Sequence, residues 1–210
     1  MSTVMDHRPA ATQTAWNPQV SQGTRRWWWV MLSAALLGTV SGTVTIVERI
    51  ALLKDPARAA FCDVNEVIGC TPVLLAAQSS VLGPPNAAIG IIMFGMFAAA
   101  ALGGVLGTVY PRSYRWFLLG LAVFFGAFLT WYMWQVGFAI GALCPFCAVC
   151  AGCVMAIVLA GARLVAADLS ADARGVAGAV ATARRSGLDL IVVIGWTLLI
   201  VGILAVGILA

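Results

Sequence analysis

Charge and histidine are scarce in this sequence. Of 210 residues, 12 are Lys or Arg and 8 are Asp or Glu, 10% of the chain, while 62% are hydrophobic. Soluble domains run near 25% charged. Twenty charges cannot coat a core holding most of the chain, so a soluble globular domain is excluded, as are intrinsic disorder and collagen-like repeats. The net charge of +4 is scattered and forms no long basic run, which excludes a nucleic-acid-binding domain. The one histidine, His7, lies in the polar N-terminal tail. The bundle therefore has no histidine for a haem or for a zinc site that needs one.

What is present is a set of long uncharged apolar runs. Crossing about 30 Å of hydrocarbon takes about 20 helical residues. Five stretches qualify: Trp27–Val47, Ala87–Val109, Trp116–Phe138, Leu143–Ala162 and Leu190–Ala210. Lipid offers bare backbone no hydrogen bonds, so each is expected to be an α-helix. The expected fold is an all-α membrane protein with five transmembrane helices. The first run is longer than the apolar core of about 7–15 residues in a signal peptide and reads as a retained span. Trp27, Trp28 and Trp29 anchor it at the membrane interface. The expected organisation is a tail at 1–26, a four-helix body at 27–165 with a long loop at 48–86, a linker at 166–189, and a fifth span at 190–210. In the loop, Thr71-Pro72 reads as an N-cap and first helical residue opening a short surface helix over Val73–Gln78.

Lys and Arg set the orientation. With a cytoplasmic N-terminus, Arg8, Arg25, Arg26, Arg112, Arg115, Arg163, Arg174, Arg184 and Arg185 fall inside, against Arg49, Lys54 and Arg58 outside. The expected location is the cell's inner membrane, multi-pass, surrounded by lipid, with the 48–86 loop extracytoplasmic. No Asp, Glu, Lys, Arg or His falls within the expected spans, which argues against proton pumps and ion-coupled transporters. Any chemistry rests on cysteine.

There are six cysteines. Cys62 and Cys70 lie in the external loop. Cys144-Pro145-Phe146-Cys147 opens the fourth span on the same, oxidising side, where disulfides persist. The loop pair is either a structural staple or one half of a relay. A Cys-x-x-Cys at a helix N-terminus favours thiolate, because the helix end presents partial positive charge and free N–H groups. A second pair on a mobile loop at the same face could reach it by thiol–disulfide exchange. Cys150 and Cys153 continue the three-residue spacing. Each step slips about 60° around a helix, so four sulfurs of one helix cannot converge on a metal. No metal site is expected, and these two read as packing residues with a modulating role as the alternative.

Two electrons from a dithiol relay need an acceptor, and five apolar spans build no nucleotide fold. A lipid-soluble quinone, menaquinone or ubiquinone, needs only an apolar slot with a few polar groups. Met93-Phe94, Phe124-Phe125 and Trp131-Tyr132-Met133-Trp134 are candidate walls. Asn86 either hydrogen-bonds a quinone oxygen or caps the second span.

Cys62-Asp63-Val64 with Cys70, Pro85-Asn86 entering a span, Trp131-Tyr132-Met133-Trp134, and Cys144-Pro145-Phe146-Cys147 together resemble the vitamin K epoxide reductase family and its bacterial homologues, over roughly residues 27–165. The resemblance implies a four-helix bundle around a quinone, with the fifth helix as an addition. It implies Cys144 and Cys147 as the active-site pair, with Cys147 against the quinone. Cys70 would exchange with Cys144, Cys62 would meet the partner, and Asn86 would bind the quinone. It also implies an enzyme that oxidises thioredoxin-like proteins and reduces quinone. Many bacterial members carry a fused thioredoxin-like domain where this chain has a fifth span, so the expected partner is a separate extracytoplasmic thioredoxin-like (DsbA-like) protein. Ala151 stands where the animal enzymes have Tyr, so vitamin K epoxide turnover and coumarin binding are not carried over. The rival reading is a membrane scaffold or soft-metal protein with a structural loop disulfide.

Overall fold

A computed structural model describes residues 18–167, 169 and 175–209. The tail at 1–17, with His7 and Arg8, lies outside the described residues, as does Arg174. Helix α1 runs without interruption over Pro18–Lys54, 37 residues. At 1.5 Å per residue that is about 55 Å, well beyond the hydrocarbon thickness. The expected first span is only its middle. Between these ends the glycines are isolated and no further proline intervenes. The helix stops at Asp55-Pro56, where proline disfavours helical geometry in the residue before it. Glu48, Arg49 and Lys54 therefore sit on the last turns of α1 and not in a loop.

The short helix α2 covers Thr71–Leu75 and is followed by a 3-10 turn, Ala77–Ser80. Its N-cap is Cys70, one residue earlier than the sequence suggested. The Thr71 hydroxyl is diverted from capping because it donates to Asp63 and accepts from the Ala60 N–H. Helix α3 spans Asn86–Val105. It ends four residues before the expected Val109 because Gly107 takes φ +98°. The Gly107 and Thr108 N–H groups donate back to Gly104 and Gly103, a left-handed cap that only glycine adopts freely.

Helix α4 runs over Arg112–Gln135 and continues as a π-helical turn, Val136–Ile140, ended by Gly141 at φ +74°. Helix α5 covers Pro145–Ala166. The expected linker holds a helix, α6 over Gly175–Ser186, and α7 spans Leu188–Leu209. Among the described residues, five helices are long and apolar enough to cross a membrane: α1, α3, α4 with its π turn, α5 and α7. Among the described residues there is no strand, only one parallel bridge between Ile68 and Leu143.

Helix α1 packs along α3 and α5, and α4 packs along α5, with Met31, Phe97, Met133 and Ile157 buried between them. Helices α1 and α3 approach closely at Gly38, where a Cβ would meet the Phe94 ring at 2.5 Å. Helix α7 lies outside this bundle, against α4, its π turn and α5. It docks where side chains are missing. A Cβ on Gly126 would meet Trp196 at 2.7 Å, and one on Gly137 would meet the Ile203 carbonyl at 3.1 Å. The Trp196 indole N–H donates to the Thr130 hydroxyl at 2.6 Å.

At the end of the bundle away from the cysteine loop, arginines gather around the C-terminus of α5. Arg115 donates to the Leu164 carbonyl and Arg184 to the Ala166 carbonyl, while Arg163 pairs with Asp189. The last carbonyls of a helix lack intrahelical partners and carry its negative dipole end, so cations collect there.

Candidate functional site

The loop between α1 and α2 is built around Asp63. Its carboxylate accepts from the Cys70 N–H at 2.6 Å, the Thr71 N–H at 3.0 Å, the Thr71 hydroxyl at 2.5 Å and the Ala60 N–H at 3.0 Å. Burial pushes this carboxyl up, but the Thr71 hydroxyl and the three N–H groups outweigh it and hold its pKa below the usual range. Asn65 turns the chain by accepting from the Val67 and Ile68 N–H groups. The loop expected to be mobile is thus tied down by its own polar side chains. Cys62 and Cys70 are joined in a disulfide, with Cα atoms 5.7 Å apart, and both are buried.

Residues 67–69 then lie alongside the approach to α5. The Leu143 N–H donates to the Val67 carbonyl at 2.8 Å, and the Gly69 N–H donates to the Leu143 carbonyl at 3.1 Å. Phe61 meets Phe146 edge-on at 5.6 Å between ring centroids. This register sets the Cys144 sulfur 3.3 Å from that of Cys70. Cys144 is the N-cap of α5 in extended geometry, φ −81° and ψ 120°, which the following proline favours. Pro145 starts the helix at no cost in hydrogen bonds. Cys144 and Cys147 are free thiols.

The Cys144 thiol is held below its usual pKa. The largest cause is the neighbouring Cys147 thiol, which favours the Cys144 thiolate. The N–H groups of Cys147 and Phe146 act in the same direction, although no cap hydrogen bond of regular geometry closes. Burial and the Asp63 carboxylate oppose them and lose.

Cys147 points to the other side, onto a cavity of about 120 Å³ between α1, α3, α4, α5 and the 3-10 turn. Of the expected walls, Met93, Phe94, Phe124, Phe125, Tyr132 and Met133 line it. Trp131 and Trp134 do not; they face outward, 38% and 47% exposed. Phe124 and Leu82 line the cavity yet are more than half exposed, which marks its mouth. Asn86 also lines it. It is the first residue of α3, and Pro85 holds the cap position, so the capping alternative falls away. Its amide N–H donates to the Gln78 carbonyl at 2.8 Å, while its Oδ1 is buried without a partner among the described residues.

Cys62, Cys70, Cys144 and Cys147 thus lie at one end of the bundle and form a path from the loop to the cavity. Cys153 is buried packing. Cys150 lines the cavity instead of the plain core. Arg49 and Ser79 line it too, and the sequence alone did not point to them. Arg49 looked like a loop charge because the boundary of α1 was set seven residues too early. The signal that could have found it was the lack of any helix breaker before Pro56.

No curated protein matches the chain. The sequence profile of the vitamin K epoxide reductase family matches residues 29–161, which include the loop disulfide, the cavity and the Cys144–Cys147 motif and leave out α6 and α7. The chain therefore belongs to the vitamin K epoxide reductase family and, like that family, is a membrane oxidoreductase.

Proposed function

We propose that the protein reoxidises a separate thioredoxin-like protein outside the cytoplasm, passes the two electrons to a membrane quinone, menaquinone or ubiquinone, and so supports disulfide formation in exported proteins. The observation that carries this reading is the 3.3 Å separation of the Cys70 and Cys144 sulfurs, with Cys147 on the cavity wall behind them. One exchange then connects the loop pair to the cavity. The gathering of arginines at the opposite end supports a cytoplasmic N-terminus in the inner membrane, with the cysteines extracytoplasmic.

The sulfurs act in order. A thiolate of the reduced partner attacks Cys62 and releases Cys70, and the partner's second thiol resolves the mixed disulfide. The partner leaves oxidised, and Cys62 and Cys70 are left reduced. Cys70 attacks Cys144 of an oxidised Cys144–Cys147 pair and releases Cys147 as thiolate. Cys62 then attacks Cys70, freeing Cys144. This leaves Cys62–Cys70 bonded and Cys144 and Cys147 as thiols, the state in the structure. Cys144's depressed pKa makes it a good leaving group in the last of these exchanges, when Cys62 attacks Cys70 and frees it.

A bound quinone would supply a two-electron, two-proton acceptor. The cavity suits its ring. Its volume is near the roughly 150 Å³ of an apolar cavity that takes benzene. Its walls are aromatic and thioether side chains, and the buried Asn86 Oδ1 lacks a donor. Asn86 would donate its second amide hydrogen to a quinone ring oxygen and accept a quinol hydroxyl on Oδ1, and Cys147 is the thiol placed to hand on the electron pair as the Cys144–Cys147 bond closes.

The test is quinone-dependent oxidation of a reduced thioredoxin-like protein by the full chain in lipid. Cys147→Ala is expected to lower the rate by about 100-fold or more, as for loss of a nucleophile. Undiminished turnover would remove the proposal. Cys153→Ala, which lies off the path, is expected to retain most of it.

A further inference from the structure

Among the described residues, Arg49 is the one charged side chain on the cavity wall. The ion pairs among the described residues are Arg58–Glu48 and Arg163–Asp189, and Arg49 belongs to neither. Its guanidinium is nevertheless fixed. One terminal nitrogen donates to the Ser79 carbonyl at 3.2 Å and the Ser79 hydroxyl at 2.5 Å, and the other donates to the Ser80 hydroxyl at 2.6 Å. The buried Ser79 hydroxyl is itself anchored on the Leu74 and Ala76 carbonyls. All the acceptors of Arg49 are neutral, so its charge is held in place without being cancelled. Asn86 is clamped to the same 3-10 turn through the Gln78 carbonyl. The two polar groups best suited to a ring oxygen thus reach the cavity from one shared support. A fixed donor facing an apolar chamber gains strength from the low local dielectric and needs no reorganisation on binding.

We infer that Arg49 is a quinone-recognition residue, whose guanidinium donates to a carbonyl oxygen of the bound ring. The inference rests on the quinone reading above and adds a chemical selectivity to it. The cavity takes a ring bearing an acceptor oxygen in preference to a hydrocarbon of the same shape. The electron balance is unchanged: the two thiols of Cys144 and Cys147 become a disulfide, and the released pair and two protons convert quinone to quinol.

The experiment measures equilibrium binding, by quenching of tryptophan fluorescence, to the full chain in lipid nanodiscs. The two probes are a dimethyl-naphthoquinone with both reactive ring positions blocked, and dimethylnaphthalene, the same ring system without oxygens. Wild type is expected to bind the quinone more tightly. Arg49→Gln is expected to weaken quinone binding about tenfold, the lower range for one charge-assisted hydrogen bond, and to leave hydrocarbon binding unchanged. Arg49→Lys keeps the charge and is expected to restore part of the preference. Arg58→Gln removes a nearby charge that is paired with Glu48 and does not line the cavity, and is expected to retain it. Equal weakening toward both probes in Arg49→Gln would mean that the residue only props up the turn, and would overturn the inference. So would a full quinone preference in Arg49→Gln. A wild type with no preference for the quinone would instead sink the quinone reading itself.

Discussion

The sulfur of Cys144, a free thiol, touches that of Cys70 at 3.3 Å while Cys70 is bonded to Cys62. Exchange requires a thiolate in contact with one sulfur of a disulfide, and this contact fixes which sulfur is attacked and which leaves. Two backbone hydrogen bonds between 67–69 and Leu143 hold it. Neither cysteine is exposed, so solvent thiols compete poorly for the same bond.

This contact predicts a trapped isomer. In Cys147→Ala, Cys144 has no neighbour to resolve it, and its attack on Cys70 releases Cys62 without net oxidation. Added maleimide should label Cys62 progressively, and peptide mapping should show a Cys70–Cys144 link accumulating in step. Labelling of Cys62 that fails to appear on long exposure would show that the two sulfurs do not exchange.

Asp63 is expected to govern the loop. Asp63→Asn keeps an acceptor for the Cys70 and Thr71 N–H groups but sets an amide donor against the Ala60 N–H. The expected loss is about 1–2 kcal/mol, reduced from the value for a fully buried charged hydrogen bond because the site is partly exposed. The pKa in the folded chain is depressed, so the carboxylate's contribution is complete above about pH 5 and is lost as pH falls through the folded value. Hydrogen exchange at Cys70 and Thr71 should quicken in acid in the wild type, and should be fast and nearly independent of pH in the variant.

Cys144 should titrate below an ordinary thiol, whose pKa is about 8.5. The ultraviolet thiolate difference between wild type and Cys144→Ser would give its midpoint. Because the Cys147 side chain is the main cause of the shift, Cys147→Ala should raise that midpoint. Exchange with Cys70 should accordingly hold up at lower pH with Cys147 present, and decline as pH falls through the Cys144 pKa. An unchanged midpoint in Cys147→Ala would assign the shift to the helix end alone.

Gly38→Ala should close the cavity from behind. The new Cβ would come within 2.5 Å of the Phe94 ring, which lines the cavity and must swing. Overpacking of this kind costs about 1–3 kcal/mol, read as lower thermal stability together with weaker quinone binding. Gly42→Ala, whose Cβ would meet Ile91 at 3.0 Å, should be milder on both measures.

Much of this protein is legible along the chain. Apolar run length is a local property, so the five spanning helices follow from counting, and lipid leaves each run no other regular structure. The helix start at Cys144 follows from Pro145. The aromatic and methionine walls were visible as clusters, but not which members turn inward, since that depends on the facing helix. Tyr132 and Met133 are inside, while Trp131 and Trp134 are outside.

The amino-acid sequence by itself determined that the chain enters a membrane as helices and that its only redox groups are cysteines, because hydrophobicity and thiol chemistry belong to residues individually. Tertiary structure alone decided that Cys70 meets Cys144, that α1 carries Arg49 to the cavity wall, and that α7 docks on Gly126 and Gly137. Those outcomes depend on contacts between residues far apart in the chain. Such contacts form only when packing and backbone hydrogen bonds have fixed one helix or loop against another, and no local pattern encodes that register.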